Sequence, residues 1–141
     1  MAFHVYKRRV QFYETDMMGI VHHANYLRLF EEARVDWVLA RKLIEKPEEA
    51  AQFAVLETRV RHIKPARFGD QLQIQLQAQL QGVRILLEYK MYDGDLKTLF
   101  SEARTEHVAI DTTNYKLVRP SPRVTSAMET EPWTETWLSN L

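Results

Sequence analysis

Cysteine is absent from the 141 residues, so disulfides, zinc–thiolate sites and a cysteine nucleophile are all excluded. An excess of either charge is absent as well. Nineteen Lys and Arg balance nineteen Asp and Glu, which removes the electrostatic basis for non-specific nucleic-acid binding. No apolar run approaches the roughly 20 residues of a membrane span. Residues 1–9 have no long apolar core after their charges, so no signal peptide is expected and the cytoplasm is the expected compartment. What is present is the balance of a soluble globular protein, 45% hydrophobic and 27% charged. The length suits a single domain, residues 1–141, with one core.

The hydrophobic period changes along the chain. Residues 3–13 read as a strand, with His4, Tyr6, Arg8, Val10 and Phe12 facing one way. Neither face is cleanly apolar, so this strand is expected at an edge or contacted on both sides. From about Ala24 to Leu43, Tyr26, Phe30, Ala33, Trp37 and Ala40 recur at the steps of one helical face. Lys46-Pro47 breaks that helix, and residues 48–52 read as one more helical turn.

From Phe53 the period is two. A strand over 53–64 is closed by Pro65, and over 71–81 Leu72, Ile74, Leu76, Ala78 and Leu80 alternate with six glutamines. One of those faces must be buried, and the glutamines read as a solvated sheet face. Gly82 turns the chain into a strand carrying Ile85, Leu87, Tyr89 and Met91, and Asp93-Gly94 is a hairpin signal. Between Thr98 and Ile110 the small residues Ser101, Ala103 and Thr105 leave room for a helix to lie close. Residues 115–119 read as a last short strand, Pro120 and Pro122 as the end of regular structure, and the tail around Trp133 and Trp137 as a short covering helix. The whole is α+β, with a long helix on one face of an antiparallel sheet.

The chemistry-bearing stretch is 12–37. Gly19 supplies backbone freedom for a tight loop that also holds Asp16. His22 to Asn25 then deliver the chain to the start of the helix, where backbone N–H groups lack helical acceptors. Free donors at the positive end of a helix dipole suit a developing oxyanion. A carboxylate beside such a helix start points to acyl chemistry, as nucleophile or as the base that activates water.

The pattern Asp16-x-x-Gly19-x-Val21-x-His23-x-Asn25-Tyr26 resembles the signature of the hotdog-fold acyl-CoA thioesterases. Within the 4-hydroxybenzoyl-CoA thioesterase-like superfamily it is most similar to the small bacterial Tol–Pal-linked branch. The likeness continues through Glu31-x-Ala33-Arg34 and Val60-x-x-x-Lys64-Pro65-Ala66-Arg67-Phe68-Gly69-Asp70. The resemblance implies a hotdog fold, Asp16 as the catalytic carboxylate, and the His23 N–H as oxyanion donor with its imidazole assisting. Gly19, Ile20 and Val21 are expected to shape the wall near the thioester, Asn25 to cap the helix or bond the loop, and Tyr26, on the apolar stripe of the helix, to pack in the core. Glu31 and Arg34 are spaced to pair, and Glu31 or Glu32 is the reserve carboxylate. His22 is expected to point away from His23. The relatives often place a tyrosine where this chain has Phe12. Here it is Tyr13, which on a strand would face the other side.

The resemblance further implies an acyl-CoA substrate, with CoA carried in as part of it and no cofactor or metal. Arg59, Arg61, Lys64 and Arg67, with His62, form the densest basic cluster and are the candidates for the CoA phosphates; a charge-protected edge strand explains them equally. Acyl carrier protein is a second candidate thiol carrier. Family members pair edge to edge with sites at the interface, so a homo-oligomer is expected, a dimer or a homotetramer made as a dimer of dimers. Three rivals remain. A hotdog hydratase needs a different Asp–His spacing. A non-catalytic acyl-binding protein needs no carboxylate at a thioester. A metal hydrolase finds no ligand spacing among His22, His23, His62 and His107.

Overall fold

A computed structural model describes residues 3–46, 52–139 and 141. The expected turn over 48–52 lies outside the described residues except for Gln52. Strands β1 (His4–Arg9), β2 (Phe53–His62), β3 (Gln71–Gln81), β4 (Arg84–Asp93) and β5 (Leu99–Ile110) form an antiparallel sheet in the order β1-β3-β4-β5-β2, and the short β6 (Leu117–Val118) pairs with the end of β5. Helix α1 (His23–Ala40) lies across the inner face against β1 and β3, and α2 (Pro122–Glu129) packs at the β3 side. Tyr26, Leu29, Phe30, Ala33 and Trp37 of α1 are buried against Leu72, Ile74, Leu87, Tyr89 and Met91. This is the α+β arrangement of the hotdog fold.

Strand β1 is shorter than the spacing suggests. It stops at Arg9, and Phe12–Glu14 is a 3-10 turn. Alternation therefore does not decide where Phe12 and Tyr13 point; both are exposed, and the Tyr13 hydroxyl lies 3.5 Å from the Arg8 guanidinium. The unsorted faces of β1 also find their reason. It is an edge strand, and its inward polar residues meet the polar flank of α1: His4 Nε2 lies 2.8 Å from Asp36, and Tyr6 donates to Glu32 at 2.9 Å.

The main helix ends three residues before Leu43. Lys42 takes a left-handed backbone (φ 54) and donates to Leu39, while the Leu43 N–H returns to the Val38 carbonyl at 3.0 Å. That is a Schellman stop, usually built on glycine. With four glycines in the chain, lysine holds the position instead.

Two features at the C-terminal end differ from expectation. Pro122 does not end structure but opens α2, where its missing N–H is no loss and Ser121 caps the turn. The tail after α2 is irregular rather than helical, and it crosses the outer face of the sheet. Thr134 N donates to Gln77 at 2.8 Å, Ser139 bonds the buried Glu102, and Trp137 stacks on Phe3 at 4.5 Å. Gln77, 2% exposed, thus sits under the tail instead of in solvent. Its polar groups are met by Thr134 and by Glu88, which also pairs with Arg104.

Candidate active site

Residues 10–22 join β1 to α1 and are held from three sides. Val10 exchanges backbone bonds with Gly69 and Asp70. Glu14 is buried, with its carboxylate on Gln11 N and the Arg8 guanidinium. The Glu14 carbonyl accepts from His22 N at 2.9 Å and from Asn25 Nδ2 at 2.8 Å. Asn25 therefore bonds the loop, while His22 caps the helix.

Between those anchors the chain makes a small hairpin. Thr15 bridges Val21, and Ile20 bridges Arg67. Asp16 N donates to Ile20 O at 2.8 Å, and Gly19 N returns to Asp16 O at 3.0 Å with Gly19 at φ 76. A Cβ at Gly19 would meet nothing within 4 Å, so the demand for glycine is conformational rather than steric. Asp16 Oδ1 accepts from Met18 N at 2.8 Å. Among the described residues Oδ2 has no partner. One oxygen orients the carboxylate and the other is left open.

The helix start supplies the complementary group. His22 is extended (φ −62, ψ 137), and its Nδ1 accepts from Ala24 N at 3.2 Å. Asn25 N is taken by His22 O. The His23 N–H is left without an acceptor among the described residues. His22 does not point away from His23. Because the cap is not helical, the two rings stack with centroids 4.3 Å apart.

His62 of β2 joins this group; the sequence marks it only as a member of the basic cluster, not as a neighbour of His23. Its ring meets Tyr26 edge-on at 4.9 Å. Burial, and then the neighbouring His23, lower its pKa, so neutral imidazole is favoured. A register shift between Val55 and Glu57 is what turns His62 inward. It reverses the parity of β2, so that Thr58, Val60 and His62 follow Val55 onto the inner face. The same shift sends Arg59 and Arg61 to the outer face, across from Arg104 and Glu102. Arg59 pairs with Glu57 there at 3.1 Å.

Of the other expected residues, Val21 is buried, Ile20 is half-buried, and Lys64 and Arg67 are exposed in the loop beyond β2. That loop is stitched to the site: Val21 N donates to Ala66 O at 2.8 Å, and Ala66 N donates to the buried Tyr26 hydroxyl at 3.1 Å. Glu31 and Arg34 do pair, at 3.8 Å. Phe12, Tyr13, Met17, Met18 and Phe68 form an exposed apolar rim around the hairpin.

Comparison with known proteins gives a consistent result. The sequence profile described as the thioesterase-like superfamily matches residues 10–133. A putative esterase of Aquifex aeolicus is 31% identical over 109 residues, which are 75% of this chain and 84% of that protein. The acyl-CoA thioester hydrolase YbgC of Escherichia coli is 28% identical over 106 residues, covering 73% of this chain and 78% of its own. Among solved structures, a 1,4-dihydroxy-2-naphthoyl-CoA thioesterase from Synechocystis superposes with a TM-score of 0.83 at 22% identity, covering 92% of this chain and 97% of that one. That last likeness is one of fold.

Proposed function

The chain belongs to the thioesterase-like superfamily, and on that premise we propose that it hydrolyses an acyl-CoA thioester to the free acid and CoA. The observation that carries the reading is a carboxylate, Asp16, oriented by Met18 N with one oxygen left open, seven residues before a helix start whose first N–H, that of His23, has no acceptor among the described residues. The thioester oxygen takes the His23 N–H, which stabilises the charge that develops there. Asp16 Oδ2 then either adds to the carbonyl carbon or draws a proton from an attacking water. In the first case the C–S bond breaks, the thiolate leaves and takes a proton, and water hydrolyses the mixed anhydride to regenerate Asp16. In the second, water adds directly and the same C–S bond breaks. The His23 imidazole, exposed beside His62, is the local group able to protonate the thiolate.

Arg67 and Lys64 lie on the loop bonded to the catalytic hairpin and are the nearer candidates for CoA phosphates. Arg59 and Arg61 would meet only the surface end of the nucleotide. Acyl carrier protein presents the same thioester and is a second carrier. The edge of β2, unpaired among the described residues, and the apolar rim at Phe12, Met17 and Met18 support a homodimer built edge to edge. A tetramer would need a second contact, and the tail already covers much of the outer sheet face. The cytoplasm is the proposed compartment.

The test is CoA release from short, long and aromatic acyl-CoAs by wild type and Asp16→Asn. Loss of the charge at constant size is expected to lower kcat by about 10²–10⁴-fold with fold and oligomer intact. Persistent activity would move the carboxylate role to Glu31 or Glu32. No release from any substrate by wild type would favour a non-catalytic acyl-binding protein.

A further inference from the structure

Behind α1 the side chains of Arg34, Tyr89, Thr105 and His107 stand in single file. Arg34 Nη1 lies 3.2 Å from Tyr89 Oη, Tyr89 Oη 2.7 Å from Thr105 Oγ1, and Thr105 Oγ1 2.8 Å from His107 Nε2. The directions of these bonds follow from the one group that can only donate. A guanidinium has no acceptor, so Tyr89 Oη accepts from Arg34. Tyr89 is fully buried, and its own proton has Thr105 Oγ1 as acceptor. With Tyr89 donating to it, the buried Thr105 hydroxyl has one proton to place, and among the described residues His107 Nε2 is the acceptor within reach. Reversing the file would leave the Tyr89 proton buried without an acceptor.

His107 is 5% exposed. Burial, and then the Arg34 charge, lower its pKa to about 4, so the ring is neutral at neutral pH. A neutral imidazole that accepts at Nε2 carries its proton on Nδ1. Nδ1 has no partner among the described residues, and the ring lines a cavity of about 250 Å³. The other walls include Trp37, Val38, Leu43, Phe53 and Leu87. A second cavity of about 220 Å³ shares Glu31, Arg34 and Val55 with it and continues between α1 and β2 toward Leu27 and Thr58.

We propose that this cavity is a binding pocket for an apolar group bearing one hydrogen-bond acceptor, whose oxygen takes the Nδ1–H of His107. An apolar cavity of about 150 Å³ holds benzene, so this pocket has room for a ring with a short substituent. In this largely apolar wall Arg34 is engaged by Tyr89 and Glu31, so the His107 N–H is the donor that favours a ketone or ether oxygen over a plain hydrocarbon, because leaving it unmet costs free energy. Two sources offer that chemistry: the far end of a long acyl chain laid along the α1–β2 groove, or a free small molecule. The first rests on the thioesterase reading; the pocket itself does not. From His23 to Arg34 the helix advances about 16 Å, so only a long acyl chain starting at the hairpin would reach.

Acetophenone and ethylbenzene have similar shapes and differ in the carbonyl oxygen. Titrated into the full chain and followed by the Trp37 indole and His107 ring nitrogen NMR signals, acetophenone is expected to bind several-fold to about tenfold more tightly. The His107 signals are expected to be those of the Nδ1–H tautomer. His107→Phe removes the donor and keeps an aromatic ring, and Thr105→Val cuts the file at its last link. In either variant the ketone preference is expected to fall toward one. Equal affinity for the two probes in wild type, no binding of either, or an Nε2–H tautomer overturns the proposal. The source is read from CoA release by an acyl-CoA with a keto group near its chain end against its plain counterpart. A lower KM for the keto substrate that His107→Phe abolishes, with plain-substrate turnover retained, identifies the acyl chain. Equal KM values beside ketone-selective probe binding identify a free small molecule. Probe binding without turnover of any acyl-CoA would remove the thioesterase reading and leave the pocket standing.

Discussion

His107 carries a cost in acid that its position explains. In the unfolded chain its ring takes up a proton near 6.5, whereas in the fold burial and Arg34 hold that step down to about 4. Between those values the unfolded chain binds more protons, so this residue makes stability fall as pH drops from 6.5 and the loss is complete below about 4. The difference amounts to about 3 kcal/mol in full and about 2 kcal/mol by pH 5. His107→Phe is expected to flatten that limb: urea unfolding at pH 7 and pH 5 should show a smaller drop in the variant, and an equal drop would assign the acid sensitivity elsewhere. His62, also lowered, acts in the same direction. Neither behaviour is legible from the sequence. The tight loop that holds Asp16 and the helix start beyond it were, because both are local and are signalled by Gly19 and by the onset of the helical period. His62 was not, because a single extra residue near Leu56 decides which side of β2 it faces, and that shift has no compositional mark.

Secondary elements were readable to the extent that packing agreed with period. Strand β3 runs from Gln71 to Gln81 as its strict alternation implies, since one face is core and a slip of one residue would expose it. Boundaries failed where a backbone choice overrode the apolar pattern. Leu43 is buried and continues the stripe of α1, yet the helix has already stopped at Lys42. A left-handed lysine costs roughly 1–2 kcal/mol, part of which glycine would return in the unfolded state. Lys42→Gly is therefore expected to stabilise the fold by about 0.5–1 kcal/mol, measured as a higher urea midpoint at unchanged slope. A lower midpoint would mean that the lysine side chain contributes more than its backbone costs. Pro122 misled in the opposite way. The same ring that ends a helix from within starts one at the first position, and only the Ser121 cap distinguishes the two.

Across the molecule, α1 packs mainly on β1 and β3, and at the outer edge of β2 part of the inner face stays open, with Val55 51% and the facing Leu27 of α1 47% exposed. An open edge carrying apolar residues is a hazard unless it is paired, and the proposed two-fold pairing of β2 with β2 would remove it. Such a contact is isologous, so any residue near its axis faces its own copy. Thr58 and Val60 lie in the second half of the strand on the inner face. The double variant Thr58→Lys/Val60→Lys would bring like charges together across the pair, an arrangement that destabilises strand pairing. It is expected to elute and scatter as a monomer, with CoA release falling alongside, because His62, beside Tyr26 and His23 in the candidate site, lies on the same strand and would lose its supporting edge. The two readouts separate the possibilities. A monomer with full activity would make the site complete within one chain, and a dimer unaffected by the lysines would place the contact elsewhere, with the rim at Phe12, Met17, Met18 and Phe68 the next apolar surface to test.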